Sequence, residues 1–425
     1  MARRAVVALL AIASVALGAC GGRDTIVLRM TSWQSPEENA LDLPAVRAFE
    51  RAHPGVRVVN EPVSNQAEYR EKVITNIVSG SPPDVLLLDG IDVPAFVDSE
   101  VLLDLAPFVG RVGLDLAWFY PNVLSMFSRG AHTYALPKGF SPVVMYYNRA
   151  MFDRAHLPYP VDGWTQDEFL SAARALTKDT DGDGRPDEWG AVLIRPFYAW
   201  QSWIWSGGGD ILTADGKRAT GALDSPATDS ALIALTNLVK FNVAPRPNAF
   251  RAVSGNETRL FYSGKLALFP SGHWLIPNIK QQLAAGNLRL GVTSTPRTAH
   301  ILPSTPLFAS AWAVPRNTAH RKLAVELAAT LSGLDAQRAR LEGGLELSAM
   351  PAVQEEFARR DTLGLEPAFL RQVPFGRPPW GATIARYREV EALLPEIIDR
   401  VIIRGETVHA VTSDVARRID AVLAR

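Results

Sequence analysis

From residue 25 onward, apolar residues fall alternately into short continuous runs and into helical spacing. Ile26 to Met30 and Val56 to Val59 have the length and branched content of strands. Val85 to Leu88 is a continuous apolar run of the kind buried on both faces of a parallel sheet. Between them, Leu43 to His53 places Leu43, Val46, Phe49 and Glu50 at helical spacing, and Tyr69 to Ser79 does the same with Tyr69, Val73 and Ile77 before Gly80 ends it. The β-α-β-α-β order predicts a doubly wound α/β unit. Ligands of such sheets sit beyond the carboxyl ends of the strands, so Thr31 to Gln34, Glu61 to Gln66 and Asp89 are the positions of interest.

A second α/β region begins near residue 141. Val143 to Tyr147 reads as a strand, and the helix after Gly163 opens on Thr165 and Glu168, the spacing of a capping box, with Phe169, Ala172, Ala173 and Leu176 on its buried face. Ser225 and Pro226 cap a further helix through Ala231 to Val239. A strand over Ala311 to Val314 precedes a helix over Ala319 to Ser332, and amphipathic helices cover Ile384 to Val401 and Val411 to Leu423. Repeats and long linkers are absent, so short crossovers join the two regions.

The start of the chain follows different rules. Ala5 to Ala19 is an apolar run of 15 residues behind Arg3 and Arg4, shorter than the roughly 17 to 25 residues of a spanning helix and suited to a secretory signal. Its end, Leu17-Gly18-Ala19-Cys20, resembles the bacterial lipobox. Residues 1–19 are expected to be a lipoprotein signal peptide, Cys20 the lipidated residue, and 20–25 a tether on the membrane surface. An ordinary secretory signal containing a cysteine has the same pattern. No other stretch is long and apolar enough to span a membrane.

Composition narrows the remainder. A charged fraction of 21% with 47% hydrophobic residues excludes a largely disordered chain. The balance of 44 basic against 44 acidic residues argues against a nucleic-acid partner held by bulk charge. One cysteine excludes an intramolecular disulfide and a zinc-cysteine cluster.

Two stretches carry chemistry. Asp179, Asp181 and Asp183 stand at positions 1, 3 and 5 of a calcium-type loop, with Gly184 at 6, the Arg185 carbonyl at 7 and Asp187 at 9. Position 12 is Gly190, so Glu188 would have to close the site around a structural Ca²⁺. A solvated Asx-turn reads the same way. The second feature is aromatic: Trp200, Trp203 and Trp205 run into Gly207 and Gly208, and Trp33, Trp274, Trp312 and Trp380 sit beside polar or small residues. Indole faces stack on the C–H faces of sugar rings, although a tryptophan serves a core equally well. His273, next to Trp274, would face the same cleft. H-E-x-x-H, G-x-S-x-G and G-x-x-x-x-G-K-[ST] motifs are absent, so no catalytic residue is assigned and no enzyme is expected.

These residues together resemble the extracellular solute-binding proteins of bacterial ABC importers, in the carbohydrate-binding group that includes maltose-binding and glycerol-phosphate-binding proteins. The resemblance runs through Phe49-Glu50-Arg51-Ala52-His53-Pro54-Gly55-Val56, Gly80-Ser81-Pro82-Pro83-Asp84-Val85, Tyr147-Asn148-Arg149-Ala150-Met151-Phe152-Asp153, Gly163-Trp164-Thr165, Leu176-Thr177-Lys178-Asp179 and Tyr262-Ser263-Gly264-Lys265-Leu266-Ala267-Leu268. It implies an α/β fold of two lobes, each a doubly wound sheet with flanking helices, closing on a ligand in the cleft between them. The expected lobes are 26–140 plus about 309–355, and 141–308 plus about 356–425. Family contacts fall at Trp33, Gln34, Asn65, Gln66, Asp89, the stretch with Trp203, Trp205, Gly207 and Gly208, His273, Trp274, Trp312, Arg377 and Trp380. Asp89 would accept sugar hydroxyls, and Arg377 would bridge a hydroxyl, phosphate or carboxylate. The resemblance further implies a carbohydrate solute, delivery to ABC permease subunits, a monomer, and a location outside the cytoplasm on a lipid anchor. The alternatives are a lipid-anchored secreted glycoside hydrolase, which would need a positioned acid pair, and a surface lipoprotein without a transport role.

Overall fold

A computed structural model describes residues 25–246, 256–286 and 288–425. The expected signal peptide 1–19, Cys20 and the tether up to residue 24 lie outside the described residues. The first unit appears as the apolar pattern predicts: β1 (Ile26–Thr31), α1 (Pro36–Ala52), β2 (Val56–Asn60), α2 (Gln66–Val78) and β3 (Val85–Asp89). β1 runs parallel to β2 from Ile26 opposite Val56 to Met30 opposite Asn60, and parallel to β3 at Met30 opposite Val85. Their carboxyl ends therefore share one edge. α1 starts at Pro36, ahead of the expected Leu43. Its polar first turn hides a capping box in which the Glu38 amide donates to Ser35 Oγ and the Ser35 amide donates to the Glu38 carboxylate.

The chain then enters β4 (Ala135–Pro142) and, after the single residue Val143, β5 (Val144–Asn148). These two strands belong to different sheets. α3 (Gln166–Leu176) carries the expected Thr165/Glu168 capping box. It is followed by the short α4 (Gln201–Trp205), α5 (Pro226–Lys240) capped by Ser225, β6 (Leu268–Ser271) and β7 (Leu290–Thr293). β8 (Thr305–Ala313), six residues longer at its start than expected, returns to the first sheet. It lies antiparallel to β3, with Trp312 opposite Leu87, and to β4, with Phe308 opposite Ser141. After α6 (Arg321–Ser332) and α7 (Leu334–Gly343), the two-residue β9 (Gly376–Arg377) runs parallel to the start of β8 and completes a six-stranded sheet.

The second sheet departs from expectation. β6, β5 and β7 form three antiparallel strands, so the parallel, doubly wound pattern holds for the first half of the fold alone. Both faces are nevertheless covered. Val144 and Tyr146 point into one hydrophobic cluster, while Met145 and Tyr147 point into another with α3, α5 and the carboxyl-terminal helices. Those last helices are also more broken than the apolar spacing suggests: Ile384 to Val401 resolves into α8 (Tyr387–Leu393), α9 (Pro395–Asp399) and a wider π turn over Arg400–Arg404. Pro395 has no amide hydrogen for the preceding turn and fits only as the first residue of a new helix. α10 (Val408–Leu423) closes the fold.

Candidate ligand-binding site

A cavity of about 340 Å³ opens at the carboxyl edge of β1 and β3, against β8 and the segment around Trp274. Its size is at the lower end of the roughly 300 to 1,000 Å³ of small-molecule sites. Five of the expected residues reach its wall: Trp33, Gln34, Gln66, Asp89 and Trp274. The indole of Trp33 packs edge-on against Tyr69 at 5.4 Å, and the Tyr69 hydroxyl donates to the Leu87 carbonyl at 2.7 Å, which fixes the ring over the sheet edge. Gln34 is held by its backbone, whose carbonyl accepts from Asn39 Nδ2 at 2.9 Å. Its own side-chain amide is 2% exposed and has no partner at either oxygen or nitrogen. Gln66 Nε2 donates to Asp89 Oδ2 at 2.9 Å.

The apolar wall combines Tyr198, Trp274 and Phe308. Their rings stand at 74° to 90° to one another with centroids 5.8 to 6.3 Å apart, so three faces meet as a corner. A Cβ at Gly272 would collide with the Trp274 ring, so glycine lets that indole fold back to this position. Burial pushes the Tyr198 hydroxyl up to about 12.

The polar wall contains residues that the sequence reading missed. Lys138 is buried in β4, and its ammonium meets the Glu346 carboxylate at 2.8 Å; Glu346 also accepts from Ser310 Oγ at 3.1 Å. Arg388 of α8 donates twice to Asp92 at 2.8 Å and once to Glu391 at 3.0 Å, and lies 3.5 Å from Asp89. Burial pushes Asp89 up to about 6, with Arg388 pulling it down and Asp92 and Glu391 adding to the rise. Burial likewise raises Glu38 and Glu391 above the usual carboxylate range. One clue was available for this group: a lysine inside the otherwise apolar run of β4 requires a buried anion. The Glu346 that supplies it is 208 residues away.

A ligand cavity at a strand edge is a property of many folds, and the comparison with known proteins narrows it. The profile of the bacterial extracellular solute-binding proteins matches residues 33–338. The chain belongs to this family. The solute-binding protein is 25% identical over 375 residues to the galactooligosaccharide-binding protein of Bacillus subtilis (strain 168), covering 83% of each chain. It is 24% identical over 387 residues to a binding protein of Brucella abortus (strain 2308), covering 89% of this chain and 88% of the other. Among solved structures, an ABC substrate-binding protein of Listeria monocytogenes in complex with cycloalternan superposes with a TM-score of 0.83 at 21% identity, over 94% of this chain and 100% of that one. A solute-binding protein of Thermotoga lettingae bound with α-D-tagatose gives 0.78 at 22% identity, over 94% and 100%. These likenesses establish the fold, a two-lobed α/β binding protein.

In this solute-binding protein the other expected contacts are placed elsewhere, each for a visible reason. Asn65 caps α2, its Oδ1 accepting from the Ala67 and Glu68 amides. Trp203 is 4% exposed, donates to the Ala231 carbonyl at 3.0 Å and packs edge-on against Phe169. Gly207 and Gly208 form the turn after α4, Gly208 with φ +81°. His273 is fully buried, with Nε2 2.9 Å from Glu366 Oε1, so it points away from the cavity that its neighbour Trp274 lines. Trp312 is buried in β8 with its Nε1 unpartnered. Arg377 pairs with Asp210 and stacks over Trp205 at 4.2 Å; Trp205 and Trp380 both donate to the same Asp210 carboxylate at 2.9 and 2.7 Å. The expected ligand cluster from Trp205 to Trp380 is thus a self-satisfied knot around Asp210.

In the aspartate-rich loop, carboxylate oxygens of Asp179, Asp181 and Asp187 lie within 4.8 Å of one another. Asp183 accepts from the Arg185 amide at 2.8 Å and stays outside this trio. Glu188, the expected closing ligand, is turned to Arg154, which donates to both of its oxygens at 2.8 and 2.9 Å. No described helix is long and apolar enough to cross a membrane.

Proposed function

We propose that this chain is the substrate-binding component of an ABC importer, capturing a sugar or sugar-like solute by hinge closure and delivering it to membrane permease subunits without chemical change. The observation that carries the reading is Gln34, whose buried amide offers an unused donor nitrogen and an unused acceptor oxygen inside a wall of aromatic faces. A vicinal diol presents the complementary pair, and a sugar ring's C–H face fits the indoles of Trp33 and Trp274. Names of relatives agree: a galactooligosaccharide-binding protein, and structures holding cycloalternan and tagatose. A glycoside hydrolase would need acids free to react, whereas Asp89, Glu346 and Glu391 are each tied to a cation and Glu38 to a backbone amide.

The lobes in this reading are 26–140 with about 309–355, and 141–308 with about 356–425. The change of sheet at Val143 and the return along β8 support this division. Closure of one lobe on the other would complete the contacts. Cys20 would carry the lipid that keeps a monomeric protein near its permease outside the cytoplasm. A thermal-shift screen across mono- and oligosaccharides, polyols and amino sugars tests the reading: at least one solute raises the melting temperature, and Trp274→Ala weakens its binding by about 1 kcal/mol or more. A screen without any shift overturns it.

The aspartate trio is part of the same proposal as a structural Ca²⁺ site, with Asp179, Asp181 and Asp187 supplying carboxylate oxygens and the Arg185 carbonyl and water supplying the others that a calcium shell of about six to eight oxygens needs. Three clustered acids repel one another without a cation. Chelator-treated protein is expected to melt at a lower temperature and to recover with Ca²⁺. Identical melting curves with and without Ca²⁺ rule the site out.

A further inference from the structure

The cavity carries an excess of negative charge, and its positive charges are already engaged. Among the described residues lining it, Glu38, Asp89, Glu346 and Glu391 supply four carboxylates against two cations, Lys138 and Arg388. The Lys138 side chain is 1% exposed and its ammonium is held by Glu346. Every nitrogen of the Arg388 guanidinium is bonded to Asp92 or Glu391. An anion entering here would find no unpaired cation, and taking one from its carboxylate would leave that carboxylate buried and unpaired, which is strongly unfavourable. Arg377, the cation expected from the sequence to bridge a phosphate or carboxylate, does not line the cavity and is held by Asp210 beside two indoles.

Resting on the sugar-binding reading, we propose that the cleft selects its solute by charge, accepting neutral and amino sugars and rejecting uronates and sugar phosphates. Three features act together. The two net negative charges of the wall repel a bound anion in a cavity where burial weakens screening. They attract a protonated amine instead, which the corner of Tyr198, Trp274 and Phe308 also favours through its ring faces. Gln34, the unpartnered polar group, is neutral and reads hydroxyls regardless of ligand charge. The same field acts on the wall itself, since burial and the neighbouring carboxylates raise Asp89.

Lys138 and Glu346 provide a way to reverse the preference. Gly139 follows Lys138 in β4, and a Cβ there would collide with the Glu346 carboxylate, so the glycine leaves the room in which this masking acid reaches the lysine. Glu346→Gln keeps the shape and removes the carboxylate bonded to the ammonium, leaving Glu38 as the remaining acid near it.

The test is calorimetric titration of the full chain with two matched series, in which the uronate and the amino sugar are near-isosteres of the neutral sugar: glucose, glucosamine, glucuronate and glucose 6-phosphate, and the corresponding galactose compounds. The expected result is binding of a neutral sugar, an amino sugar bound at least as tightly, and the uronate and phosphate at least tenfold weaker. In Glu346→Gln, checked for folding by circular dichroism, the uronate gains at least tenfold relative to the neutral sugar. A uronate or phosphate bound within threefold of the neutral sugar by the native chain overturns charge selection and leaves the solute-binding reading standing. An unchanged ratio in the folded variant also overturns it, because rejection would then be steric. No heat from any member of either series overturns this inference, and the sugar reading falls with it only if the oligosaccharides of the thermal-shift screen also give no shift.

Discussion

Asp89 shows how one side chain can oppose folding and serve binding. Its folded-state pKa is raised from 3.8 to about 6, burial being the main cause. Between those values the folded chain holds a proton that the unfolded chain has released, so this group favours the folded state most at low pH, and that contribution is lost as pH rises through 6. Solute binding has the opposite sign, because the ionised carboxylate accepts hydroxyl bonds and the protonated one accepts fewer. Calorimetry from pH 7 to pH 5 is therefore expected to show affinity falling in the native chain and a flatter profile in Asp89→Asn; matching profiles would remove Asp89 from the site. That Asp89, Trp33, Gln34 and Gln66 line the cavity was legible in the sequence, because these residues follow parallel strands and so gather at one edge of the sheet. Arg377 was not, because its partner Asp210 lies 167 residues away and took the charge that the sequence appeared to leave free.

At the level of elements, capping chemistry was the most faithful guide. Thr165 with Glu168 and Ser225 with Pro226 start helices where expected, since a cap is a contact between near neighbours. α1 began early because its polar first turn carries no apolar spacing, although Ser35 and Glu38 already form the box. α4 misled in a different way. Five residues cannot sustain a helix alone, and Gln201–Trp205 persists because Trp203 is fastened to Ala231 of α5 and to Phe169 of α3. Trp203→Ala is expected to cost about 3 to 5 kcal/mol of stability, with solute affinity of the folded protein unchanged. Urea denaturation paired with titration separates the two; lost affinity at unchanged stability would return Trp203 to the site.

Across the whole molecule, two differently built sheets meet with one residue, Val143, between β4 and β5. In the proposed closure, rotation at a few backbone torsions of so short a link would move one unit against the other. Small-angle scattering is expected to show a smaller radius of gyration once a binding solute is added, and an unchanged radius at saturation would exclude hinge closure. The sequence by itself determined the α/β alternation, the caps, the family and the residues at the strand ends, all of which depend on periodicity or on neighbours a few positions apart. Only the tertiary structure decided that the second sheet is antiparallel, that Tyr198 and Phe308 join Trp274, and that Glu346 masks Lys138. Each of those outcomes depends on segments distant in the chain packing together, and local apolar spacing does not record which distant partner a side chain will meet.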